Sequence, residues 1–214
     1  EESKASFVNS EQAVAVVANR YDGIDFAGDE CRLLFIEGLP KAMNIQERFL
    51  MTRMAANALY NERIQTRVVQ AIGRCTRSLE DYSAVVVSGE ELPDYLADLR
   101  RRLFFHPELQ AEITFGAHQS KDTGLADLVE NFEIFLENDR SWELVNRQIL
   151  DERDRAQQQF LPAIQELEEA VGAEIDYQTA LWRHDYYSAI AAADRVLGTL
   201  KAPDLRGYRA LWNY

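Results

Sequence analysis

An α/β layer with a parallel sheet, followed by an all-helical acidic region, is the fold class that this 214-residue sequence predicts. Three observations predict it. Short Val- and Leu-rich runs at 13–18, 31–36 and 82–87 read as strands buried on both faces. A long stretch of helical periodicity separates the second run from the third, the alternation that builds parallel sheets. After Ser88-Gly89 the strand-like runs stop and amphipathic helical patterns take over. The boundary therefore falls near residue 90, giving an α/β part over 1–90 and a helical part over 91–214.

Ala13 to Ala18 (AVAVVA) is the first run, closed by the polar stretch Asn19-Arg20-Tyr21-Asp22-Gly23. Cys31 to Ile36 (CRLLFI) is the second, closed by Glu37-Gly38-Leu39-Pro40. From Ile45 to about Arg74, Phe49, Met54, Ala58, Ile64, Val68 and Ile72 recur at three- and four-residue steps, as on one face of a helix. Tyr82 to Val87 (YSAVVV) is the third strand. Pro93 suits a first helical turn, and Asp94 to Phe105 and Leu125 to Leu136 read as helices. A near-heptad stripe from Trp142 to Val171 is interrupted around Pro162, which removes a backbone donor. Beyond Gly172, Tyr177 to Trp182 and Tyr186 to Leu197 are expected as two short helices.

Composition narrows the class. Hydrophobic residues at 47% and charged residues at 28% describe a folded chain, not a disordered one. Two cysteines cannot form a disulfide framework, and Cys31 and Cys75 are expected in or near the core. A reducing, cytoplasmic setting is expected. His106, His118 and His184 are too scattered for a zinc site, and the first two fall near helix ends, where caps or surface positions are expected. No apolar run approaches the ~20 residues that cross a bilayer, so no membrane partner is expected. The chain opens Glu1-Glu2-Ser3 and ends on an aromatic-rich run from Tyr208 to Trp212. Both ends are expected to continue into a longer polypeptide.

The net charge of −13 argues against nucleic acid until its distribution is read. Residues 1–40 hold three basic against eight acidic side chains, 41–78 seven against two, and 79–214 thirteen against twenty-six. The basic segment ends in Gln70-Ala71-Ile72-Gly73-Arg74-Cys75-Thr76-Arg77. Arginines three apart at a helix end project in nearly the same direction, and each carries a planar fork that clasps phosphate oxygens. Gly73 breaks an otherwise good helix at a cost of about 1 kcal/mol relative to alanine. Upstream, Gly23 lets a backbone approach a ligand and Asp25 offers an acceptor, in a loop directly after a predicted strand.

Taken in this order, AVAVVANRYDGIDFAGDECRLLFIEGLP and QAIGRCTRSLEDYSAVVVSG resemble motifs V and VI of superfamily 2 helicases, most nearly the C-terminal motor domain of the XPD and DinG type. The resemblance covers residues from about 10 to 90. Asp22 stands where the family has Glu, Lys41-Ala42 where aromatic and proline residues are common, and Ser83 where Gly follows the Asp-Tyr pair. The resemblance implies a partial RecA-like sheet over 1–90. It implies Arg74 and Arg77 as catalytic arginine fingers, Gln70, Gly73, Gly23 and Asp25 beside the nucleotide, and Asn19 and Arg20 on nucleic-acid phosphates. It further implies ATP and Mg as cofactors, bound mainly by a first motor domain in another chain or in a part of the polypeptide outside these residues. The other implied partner is single-stranded nucleic acid, DNA ahead of RNA. No G-x-x-x-x-G-K-[ST] loop occurs, so the chain alone is expected to be inactive.

Ala180 to Leu197 (ALWRHDYYSAIAAADRVL) resembles one tetratricopeptide hairpin, with Leu181, Tyr186 and Ala189 at interlocking positions and His184 in place of the turn glycine. On that reading, Trp182, Tyr186 and Tyr187 belong to a packing or partner-docking surface. A different class of function follows from it: a non-catalytic, helicase-derived module that docks a protein partner through its helices.

Overall fold

The computed structural model describes residues 4–18, 24–40, 45–52, 57–76, 81–160 and 163–213. Two of the three expected strands form. β1 (Leu33–Glu37) and β2 (Ala84–Ser88) pair in parallel, with Leu33 opposite Ala84 and Glu37 opposite Ser88. A parallel pair needs a long crossover, and the stretch of helical periodicity supplies it as α2 (Ile45–Thr52) and α3 (Asn57–Ile72). α3 passes into a 3-10 turn at Gly73–Cys75. The sheet ends in two adjacent left-handed glycines, Gly38 (φ 76°) and Gly89 (φ 85°), with the Gly38 N–H donating to Ser88 O at 3.4 Å.

The first expected strand is corrected. Ala13 to Ala18 is not strand, and Val14 and Val16 are 90% and 91% exposed. A Val-rich run favours the extended state only where a neighbour completes the hydrogen-bond ladder and covers its faces. Among the described residues the sheet has two strands, and neither pairs with this run.

The chain divides into two compact units, and the change of sequence character at residue 90 lies inside the first. Unit one comprises Glu1–Pro40 and Gln65–Gln159. Besides the sheet it holds α1 (Lys4–Val8), α4 (Glu91–Ala97), α5 (Leu99–Arg102), α6 (Pro107–Gln119), α7 (Leu125–Glu137) and α8 (Arg140–Arg155). The single helix expected over Asp94 to Phe105 is instead α4 and α5. Asp98 separates them because its carboxylate accepts the N–H groups of Arg100 (2.9 Å) and Arg101 (3.4 Å), the geometry of a helix N-cap. Leu92, Tyr95, Leu96, Phe105 and Ala111 are buried in this unit. His106 caps α6, its Nδ1 accepting the Glu108 N–H at 3.5 Å, and Pro107 opens the helix.

Unit two comprises Lys41–Ile64 and Phe160–Tyr214. α9 (Ile164–Trp182) runs unbroken through Gly172, so the expected helix at Tyr177 to Trp182 is its last part. α10 (Tyr186–Thr199) and α11 (Arg206–Trp212) follow. Ala170, Val196, Leu200 and Leu205 form a core against which Leu167, Ala173, Tyr208 and Trp212 pack. Glu166 accepts the N–H groups of Lys201 (2.6 Å) and Ala202 (2.8 Å), which holds its carboxyl below the usual carboxylate range. Between α9 and α10, His184 takes φ 58°, the left-handed geometry expected where glycine is usual. Ala189 is buried and Leu181 half-buried, while Tyr186 stays outside.

Candidate functional site

The segments leading into the two strands are sewn together before the ladder begins. The Phe26 N–H donates to Arg74 O at 3.0 Å. The Gly28 N–H donates to Asp81 Oδ1 at 3.0 Å. Arg32 Nη1 donates to Tyr82 O at 2.7 Å, and its guanidinium lies 3.9 Å from the centre of the Tyr82 ring, a cation–π geometry. Ala84 N–H then donates to Arg32 O at 2.9 Å, immediately ahead of the Leu33–Ala84 pair. Gly28 holds φ 57°, which lets its N–H turn toward Asp81. Phe26 is buried against Phe7 of α1, with ring centres 5.2 Å apart.

Arg74 sits at the middle of the 3-10 turn, and its side chain folds inward. Its Nη1 donates to Ile24 O and to Asp25 Oδ1, the latter at 3.3 Å. The residue is 7% exposed, and among the described residues its Nε has no hydrogen-bond partner. An unmet buried donor is a standing cost of about 1–3 kcal/mol, which an added acceptor would relieve. The Asp25 side chain remains half exposed, so water screens this ion pair on one side.

The structure thus joins two of the residues singled out in the sequence, Arg74 and Asp25. Gln70 lies exposed on the last turn of α3. Gly73 starts the 3-10 turn, and a Cβ there would meet nothing within 4 Å. Internal packing therefore does not require glycine at this position. Asn19, Arg20, Gly23 and Arg77 lie outside the described residues. Arg32 and Asp81, which tie the two segments, were not singled out. The only sequence signal for either is the Asp-Tyr pair at 81–82, noted as a flank of the arginine motif.

Both cysteines belong to the same junction. Cys75 is fully buried, and Cys31 is half-buried with its Sγ donating to Leu33 O at 3.3 Å. Burial, together with the neighbouring Cys31 thiol as hydrogen-bond partner, pushes the Cys75 thiol up to about 12. Only the thiolate alkylates rapidly. At pH 8, iodoacetamide is expected to modify Cys31 while Cys75 stays protected, and both should react after denaturation. Peptide mass spectrometry of timed samples measures this; equal rates in the native protein would show that Cys75 is not enclosed.

Residues 3–95 match the family model described as the helicase C-terminal domain. This part of the chain is similar to that family. The match takes in the whole junction between Asp25 and Arg74, both strands of the sheet and most of α4. It agrees with the XPD and DinG type likeness carried by the GIDF and QAIGRCTR stretches. Within the matched region, the ion pair Asp25–Arg74 is thus a contact between the two motif-bearing stretches. No curated protein and no solved structure matches the chain. Among the described residues, no helix is long and apolar enough to cross a membrane.

Proposed function

We propose that the chain supplies part of the second motor domain of an ATP-dependent nucleic-acid helicase or translocase. The family match over residues 3–95 supports the motor assignment, and the Arg74–Asp25 contact is the observation that carries the mechanism. Nucleotide and magnesium would be held mainly by a first motor domain, in the same polypeptide or in a partner chain, where they would supply the phosphoryl bond and its charge, with Arg74 and Arg77 facing it from this chain. The residues present suit an anion at this place. Arg74 has an unmet buried donor, and the flank of Gly73 is open.

On closure, Arg74 exchanges Ile24 O and Asp25 for phosphate oxygens, and Arg77 joins it as a second finger. Arginines so placed stabilise charge that develops during phosphoryl transfer. Gln70 and Gly73 border the nucleotide from the end of α3. Release of Asp25 is the coupling step: the loop that includes Gly23 and Asp25 changes partners, and Asn19 and Arg20 at its mouth grip or release backbone phosphates. Binding is sequence-independent and weakens as salt rises.

Nucleic-acid-stimulated ATP hydrolysis by the complete helicase tests the reading. Single-stranded DNA is expected to raise turnover, and Arg77→Ala to abolish the rise while ATP still binds. Absence of hydrolysis with both DNA and RNA would overturn the motor reading. It would favour instead a helicase-derived module that docks a protein through its helical region, the reading supported by the exposed Trp182, Tyr186 and Tyr187.

A further inference from the structure

α9 is apolar on two opposite sides. Ala170, Ala173, Tyr177 and Ala180, at steps of three and four, form its inner side: Ala170 and Ala180 are buried, and Ala173 and Tyr177 half-buried. Val171, Ile175 and Trp182, at steps of four and seven, form a second stripe, and all are exposed, Trp182 by 88%. At about 100° per residue the two sets lie roughly half a turn apart. A helix apolar on both sides is ordinarily covered on both. Tyr187 and Ile190 of α10, 90% and 62% exposed, add apolar surface beyond the turn. Large apolar side chains exposed in such number on one hairpin point to an interaction site.

Charge selects the occupant. α9 holds Glu166, Glu168, Glu169, Glu174 and Asp176 and no Lys or Arg. From Ile164 to Thr199 there are seven acidic against two basic side chains. A second copy seated on this stripe would set acid against acid. A helix with apolar anchors at i, i+4 and i+11 and basic flanks meets both features, and the stripe's length of about 16 Å is three helical turns. We propose that the outer stripe of α9 docks a basic amphipathic helix of a partner protein. The inference does not depend on the motor reading, since it rests on residues outside the helicase match.

The test uses the whole chain and a fluorescein-labelled synthetic helix with a leucine stripe and lysine flanks, followed by anisotropy. The same peptide with glutamate flanks is the control. The lysine peptide is expected to bind, more weakly at high salt, and the glutamate peptide to fail. Ile175→Asp and Trp182→Ala should each weaken binding about tenfold or more, as anchors at the centre of an interface do. Glu168→Lys should weaken it as well. Both anchor positions are exposed, so circular dichroism should show an unchanged fold; two separate variants guard against loss of either one. Equal binding of the two peptides, or binding indifferent to both anchor substitutions, overturns the proposal. So does a dimer in sedimentation that Ile175→Asp dissolves, because the occupant would then be a second copy.

Discussion

On the proposed motor reading, Arg74→Ala in the complete protein is expected to lower ATP turnover by about 10³-fold or more while leaving ATP binding nearly intact, because an arginine finger acts on charge that appears only in the transition state. The structure sharpens this expectation. Arg74 is not a solvated surface residue whose removal would be silent; it is 7% exposed and held by Ile24 O and Asp25. Arg74→Lys should rescue little, since an ammonium is a point charge and cannot span two acceptors with a planar fork. Asp25→Ala separates the two roles of the contact. On the proposed reading it leaves Arg74 for the phosphate, so basal hydrolysis should persist while stimulation by single-stranded DNA falls. Single-turnover hydrolysis with equilibrium nucleotide binding measures the first effect, and steady-state rates with and without DNA the second. Normal hydrolysis by Arg74→Ala would leave its guanidinium as an internal tie between the 3-10 turn and the loop, with no part in turnover.

How much of this was readable in the sequence depends on how local each determinant is. The runs at 31–36 and 82–87 became β1 and β2 with starts shifted by two residues, because Arg32 and Tyr82 bond each other ahead of the ladder. AVAVVA is also apolar yet forms no strand, since neither strand of the sheet among the described residues pairs with it. The crossover helices, the His106 cap and the left-handed turn at His184 are local and were legible. The split at Asp98 was missed because a capping aspartate looks like any other acid inside a charged helix. Gly172 suggested a break, but α9 continues because packing against α10 outweighs a glycine cost of about 1 kcal/mol. The two motifs were recognised as stretches, whereas the inward fold of Arg74 was not. Helical spacing would set Gln70 and Arg74 on one face. The helix stops at Ile72, however, so Arg74 leaves from a 3-10 turn in another direction, buried while Gln70 is exposed.

Phe105→Ala is expected to cost about 3–5 kcal/mol of stability, the upper range for emptying an aromatic site in a core. The ring is 1% exposed and meets Tyr95 edge-on with centres 6.4 Å apart. What places the cost high is the rigidity of the surrounding turn. Gln110 Nε2 donates to Phe105 O at 2.7 Å. The Phe104 carbonyl accepts from Gln65 Nε2 at 2.8 Å and Gln158 Nε2 at 3.0 Å. The Leu103 carbonyl accepts the Gln159 N–H at 2.8 Å. Three consecutive carbonyls are thus fixed by glutamines brought from three separate stretches, so the backbone cannot sink into the space the ring vacates. Gln110→Leu removes one of those ties from a buried carbonyl and should cost about 1–3 kcal/mol. Because both changes act on one turn, the double variant should fall short of their sum. Urea denaturation of the three variants decides the matter. A loss under about 1 kcal/mol for Phe105→Ala would mean that the turn repacks freely and that the glutamines do not hold it.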